Sequence, residues 1–313
     1  MPCSIGFEMV ALQYPFTNPQ AICITQNHIQ SQEQIDCCAS YIASNNIEQA
    51  DINTGNISFL EKCPNLKYLR IRPSCDAEKD FDFSPLYTMP EIRSLTVQNV
   101  YGQRNEYMGI IDYSKISGLI DLFIRVNKGV INFNKLEQLK SLRVSSFKGE
   151  KRDLSDLFIS KELDTLEMIQ CGIQSLNGIE TSKKMQCLYL SNNRSLSNIY
   201  ALSQVRRTLK TLRIVNCPKI TDFSVLEELE GLELLELSGN NTLPSLKFLE
   251  KMKSLKTFIF STNVEDGDLS LCMNLSYAHS LKHRKHYNIP AASLPKNHYY
   301  RGNEAIEEWR RLE

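Results

Sequence analysis

The sequence predicts an α/β solenoid, a coil of short stacked repeats. Each repeat gives one strand to a parallel sheet and a short helical or extended segment to the opposite side. Three observations predict it. A pair of apolar residues flanking one variable residue recurs, as in Leu166-Glu-Met168, Leu188-Tyr-Leu190, Leu212-Arg-Ile214 and Leu235-Glu-Leu237. The last apolar residues of these pairs are Ile52, Ile71, Val97, Ile124, Val144, Met168, Leu190, Ile214, Leu237 and Phe260, spaced by 19, 26, 27, 20, 24, 22, 24, 23 and 23 residues. Asparagine or cysteine then follows in many repeats, at Asn127, Cys171, Asn193, Cys217, Asn240 and Asn263.

Each element has a physical reason. Residues two apart on a strand leave it on the same side, so both members of a pair face the interior. No single repeat buries its apolar side alone, and stacking supplies the core. The turn after each strand leaves backbone groups inside. A side-chain amide there bonds several of them, so a ladder of such residues meets the need to satisfy buried polar groups. Apolar residues at threes, such as Ile220, Phe223, Leu226 and Leu229, suit the returning segment.

This pattern resembles the leucine-rich repeat, in the short-repeat form of bacterial internalin-like arrays, over roughly residues 47–275. The resemblance implies a curved horseshoe with its strands on the concave face. Ser74, Val100 and Phe147 depart from the pattern at the asparagine position. A solenoid needs capped ends. Residues 1–46 are expected to form an N-terminal cap containing a helix begun by Ser31 and Gln34, with Ile35, Cys38, Tyr41 and Ile42 on its apolar face. Residues 276–313 are expected to form a C-terminal cap or tail, including an amphipathic stretch with Ile306, Trp309 and Leu312.

Composition bounds the function. The chain has 313 residues, 42% of them hydrophobic, with 36 acidic against 36 basic, so net charge gives no reason to expect nucleic acid. No secretory signal or membrane-length apolar run is evident, which sets the expectation of a cytoplasmic protein that does not enter membranes. The ten cysteines contain no CxxC pair and read as reduced, mostly buried thiols; adjacent Cys37 and Cys38 suit a packed helix. No phosphate loop, GxSxG or HExxH motif is present, and no enzyme activity or cofactor is expected. On a helix His279, His283 and His286 would share a face, but Lys282, Arg284 and Lys285 lie among them and oppose a metal, so none is assigned.

The outward-facing residues carry the functional expectation. The paired apolar positions point inward, so Tyr68, Arg70, Arg72, Phe123, Arg125, Arg143, Tyr189 and Arg213 face out on the strands. Arg70, Arg125, Arg143 and Arg213 are expected at one central position, forming a basic stripe interleaved with aromatics, with glutamate segregated to the convex side. Arginine and tyrosine are enriched at binding hot spots, and such a stripe would steer an acidic protein partner. The expected function is a monomeric, non-enzymatic protein-binding repeat protein. The segment Lys285-His-Tyr-Asn288 is similar to repeat proteins that serve as immunity partners of polymorphic toxins, which implies an intracellular inhibitor occluding a toxin domain. An internalin-like protein binding a host partner is the alternative.

Overall fold

A computed structural model describes residues 8–11, 20–25, 31–73, 80–98, 109–157 and 160–298. The chain divides into two units, one ending at Ser141 and the other beginning at Leu142. The expected stretch with Ile306, Trp309 and Leu312, and positions Ser74 and Val100, lie outside the described residues.

The first unit opens with strands β1 (Glu8–Ala11) and β2 (Gln20–Thr25), which pair antiparallel. Helix α1 (Gln32–Ser44) follows. Ser31 Oγ accepts from Gln34 N–H while Gln34 Oε1 accepts from Ser31 N–H, the reciprocal pair that the sequence predicts. Cys38, Ala39 and Ile42 form its buried side. Strands β3 (Gln49–Asn53), β4 (Tyr68–Ile71) and β5 (Ser94–Val97) come next. Short β6 (Ile111–Asp112), β7 (Asp121–Arg125) and short β8 (Val130–Ile131) complete this unit's described strands. From β2 the main strands pair parallel, in register Ile24↔Ile52↔Ile71↔Val97↔Ile124.

Strand β9 (Ser141–Ser145) leads into the second unit. There β10 (Thr165–Ile169), β11 (Cys187–Ser191), β12 (Thr211–Val215) and β13 (Leu234–Ser238) are the regular repeats. Two-residue β14 (Thr242–Leu243), then β15 (Thr257–Phe260), two-residue β16 (Asn263–Val264) and β17 (Tyr277–Ser280) close the described chain. The register Met168↔Leu190↔Ile214↔Leu237↔Phe260 is parallel throughout. Apart from Ile24, the aligned residues in both units are among those that mark the repeat in sequence. The fold is a leucine-rich repeat solenoid.

Burial explains why this pairing holds. Leu166, Met168, Leu190, Leu212, Leu235 and Phe258 are all fully buried. Each such side chain contributes about 1.5–3 kcal/mol by leaving water. Leu212→Ala is expected to lower unfolding free energy by about 2–5 kcal/mol, read as a shift in urea midpoint at unchanged slope.

The return segments are short 3-10 helices, including Ser58–Lys62, Ser84–Thr88, Tyr200–Val205, Ser224–Glu228 and Ser270–Asn274. Each is entered through the same device. The side chains of Asn56, Asp82, Asn198, Asp222 and Asp268 accept from the N–H two residues on, satisfying a donor that the helix start leaves orphaned. The sequence reading missed this, although an Asn or Asp two residues before a Ser recurs in several repeats.

These hydrogen bonds have a pH consequence. The N–H and hydroxyl of Ser224 hold the Asp222 carboxyl below its ordinary 3.8. Ser270 and Asn288 do the same for Asp268, as do Ser114 and Asn132 for Asp112. A lowered folded pKa contributes stability above the unfolded value, and that contribution is lost as pH falls through the folded one. Burial pushes the Asp121 carboxyl upward and works in the opposite sense. The urea midpoint should therefore fall on acidification below the ordinary value of 3.8, and the Asp222→Asn variant should fall less steeply. Parallel profiles for the two would refute the assignment.

Candidate protein-binding face

The turn after each strand decides what the outward face presents. In the second unit Ser146, Gln170, Asn192 and Asn216 all have φ between 53° and 61°, one per repeat, two residues past the core mark. Each donates its N–H to the next strand: Ser146 to Ile169 O at 3.1 Å, Gln170 to Ser191 O at 2.9 Å, Asn192 to Val215 O at 2.9 Å and Asn216 to Ser238 O at 2.8 Å. This left-handed step turns the chain inward.

The next residue enters the ladder. Asn193 accepts from Cys171 N–H at 2.8 Å and donates to Met168 O at 3.0 Å. The Cys217 thiol donates to Leu190 O at 3.7 Å and Val215 O at 3.6 Å. Cys171 makes the equivalent pair with Val144 O and Ile169 O. Burial pushes both thiols up to about 11, which suits structural donors rather than nucleophiles.

Three ladder expectations need correction. Asn240 is exposed, and Asn241 takes the inner place, donating to Cys217 O at 3.0 Å and Ile220 O at 2.7 Å. The turn after β13 carries one extra residue there, with Gly239 at φ 139°. In the next repeat the Thr262 hydroxyl, donating to Leu237 O at 2.8 Å, does the work expected of Asn263. Asn127 instead caps a local turn by accepting from Gly129 N–H at 2.8 Å.

The eight expected contact residues fall into two groups. Tyr68 and Arg70 lie on β4, Arg72 directly follows it, and Phe123 lies on β7, all in the first unit, with Arg125 ending β7. Arg143, Tyr189 and Arg213 belong to the second. The register Arg70↔Thr96↔Phe123 places Phe123, not Arg125, at the central position, so Arg125 leaves the expected arginine row and stands one pair further along, exposed.

The expected separation of charge also fails. Asp51, one strand before Arg70, is buried on this same face. Arg72 grips it with two hydrogen bonds of 3.0 and 2.6 Å, and Arg70 approaches it at 3.5 Å. In the second unit Arg143 Nε lies 3.1 Å from Glu167 Oε2, and Arg213 Nη1 lies 3.1 Å from Glu236 Oε2. Both partners in these last two pairs are 10–15% exposed. Arg70, Arg72, Arg143 and Arg213 of the expected set are ion-paired to carboxylates of neighbouring strands. The carboxylates stand one repeat before or after their arginines, and it is the register between adjacent strands that sets them opposite one another.

The histidine segment is not helical. His279 sits on β17, while His283 follows in irregular chain and His286 in a turn. His286 Nε2 hydrogen-bonds with Val264 O at 2.9 Å, and the Tyr287 hydroxyl accepts from Val264 N–H at 3.2 Å and donates to Thr262 O at 3.3 Å. Asn288 accepts from Leu269 N–H at 2.9 Å. His279 Nδ1 faces Lys296 Nζ at 3.1 Å; burial, then the lysine charge, keeps its imidazole below the ordinary value. Among the described residues no His, Cys, Asp and Glu group is arranged to hold a metal ion. Seven described cysteines are free, but Cys37 is disulfide-bonded, contrary to the expectation of thiols throughout α1. Among the described residues no helix is long and apolar enough to cross a membrane.

No protein-family model and no curated protein matches this chain. Solved structures do match. An internalin (inlF) from Listeria monocytogenes superposes with a TM-score of 0.57 at 17% identity, covering 83% of this chain and 79% of the internalin. The functional domain of InlJ from Listeria monocytogenes, described as including a cysteine ladder, aligns at 13% identity over 82% of this chain and 72% of its own, with a TM-score of 0.43. The first likeness agrees with the fold derived above.

Proposed function

We propose that this chain is a non-enzymatic protein-binding repeat protein, engaging its partner through the outward side chains of successive strands. The observation that carries the reading is the composition of that face. Tyr68, Arg70 and Phe123 stand on parallel strands of the first unit, and Tyr189 and Arg213 on those of the second; tyrosine and arginine dominate binding energy at protein interfaces. A photo-crosslinking amino acid at Tyr189 should yield a protein adduct in the native cell, whereas one at exposed Glu228 on a return segment should not. An adduct from Glu228 alone, or from neither, would overturn the reading.

Two finer roles use this surface. In the first, the chain is an intracellular immunity partner that occludes a toxin domain; in the second, it is an internalin-like binder of a host protein. The Lys285–Asn288 segment behind the first role is engaged within the chain through His286, Tyr287 and Asn288, which weakens the resemblance as a functional sign. A disulfide at Cys37 suits an oxidising compartment and favours the second role. Co-expression with a toxin encoded beside this gene decides between them: growth rescue establishes immunity, and failure to rescue removes it. Charge reversal is not a clean probe of this face, because Arg143→Glu would set a second carboxylate against Glu167 and destabilise the fold as well as alter binding.

A further inference from the structure

The second unit's outward face departs from the usual alternation in a specific place. The position after the central one reads Ile169, Ser191, Val215 on three consecutive strands, paired Ile169↔Ser191↔Val215. Strands stand about 4.8 Å apart, so the two aliphatic side chains flank a shallow notch about 10 Å across, with small Ser191 as its floor. Tyr189, one pair inward on the same strand as Ser191, closes one end. Asn192 closes the other, its side-chain amide donating to Ser191 Oγ at 2.9 Å. Ile169, Tyr189 and Val215 are all half-buried, so each still offers apolar surface.

Charge around the notch is balanced. Tyr189 is flanked in register by Glu167 and Arg213. Glu167 is paired to Arg143 and Arg213 to Glu236, each at 3.1 Å. An acidic partner would have to compete with those internal carboxylates for the arginines, and a basic one with the arginines for the carboxylates. An uncharged side chain meets neither cost. The surface therefore complements a neutral, apolar anchor, with the tyrosine ring and ion pairs as its surround.

We propose that the notch formed by Ile169, Tyr189, Ser191 and Val215 takes an uncharged apolar side chain of a protein partner, and that binding there is insensitive to salt. This rests on the protein-binding reading above and names the chemistry of its contact. It replaces steering by a basic stripe with anchoring by a neutral one.

The test uses a phage-displayed random dodecapeptide library panned on the intact chain. Clones are then measured against wild type, Val215→Asp and Tyr189→Ala, with thermal melts confirming that both variants stay folded. The expected result is enrichment of aromatic or aliphatic, uncharged clones. Their affinity should fall at least about tenfold on either variant and hold constant up to about 0.5 M salt. Acid-rich clones whose binding collapses in salt would overturn the proposal, as would clones indifferent to both variants; the protein-binding reading would survive either result. Enrichment of no clone would count against both.

Discussion

Asn193→Ala should be among the most damaging single changes in the regular repeats, lowering unfolding free energy by about 2–5 kcal/mol. Two backbone groups depend on that amide, the Cys171 N–H at 2.8 Å and the Met168 carbonyl at 3.0 Å, and the side chain is fully buried. Alanine leaves both groups without a partner in a place water does not reach. Asn193→Cys should recover part of the loss, because Cys171 and Cys217 serve neighbouring turns by donating their thiols to carbonyls. Asn240→Ala is the control. It is exposed and should change the urea midpoint little. Equal losses for Asn193→Ala and Asn240→Ala would mean that the ladder does not carry this part of the stability.

The second large effect concerns the Arg213–Glu236 pair. Glu236→Ala should cost about 2–4 kcal/mol, because it removes the carboxylate that faces a guanidinium largely withdrawn from water. Replacing both partners together, Arg213→Met with Glu236→Leu, should restore most of that stability or exceed it, since the apolar pair needs no desolvation of charge. Urea titrations of the two single variants and the double variant give the coupling directly. A double variant as unstable as the sum of its singles would show that the pair acts as two separate residues.

These two cases show which parts of the molecule were legible beforehand. The repeat was legible because its signal is periodic and redundant. The marks from Ile52 to Ile124 and from Met168 to Phe260 each align with their neighbours in the paired strands. The capping box at Ser31 and Gln34 was legible because it is local. The ladder was legible at Asn193 and Cys217 but not at Asn241, where one inserted residue shifts the inner position. A spacing rule carries no information about a φ of 139° at Gly239.

The outward face was legible in its membership and not in its electrostatics. Alternation along a strand is enough to say that Arg213 and Glu236 both face out. Whether they form a patch or a pair depends on which residues of adjacent strands stand opposite, and that is a matter of register between segments a full repeat apart. Likewise Ile169 and Val215 read as isolated apolar residues until pairing through Ser191 sets them on two sides of one notch.

The architecture follows from the repeat, because burial of a leucine every 20 or so residues leaves stacking as the economical way to remove that surface from water. What the stacked strands present depends instead on packing across the sheet. Charges on neighbouring strands about 4.8 Å apart neutralise one another, and the surface they leave is set by which letters meet across the sheet.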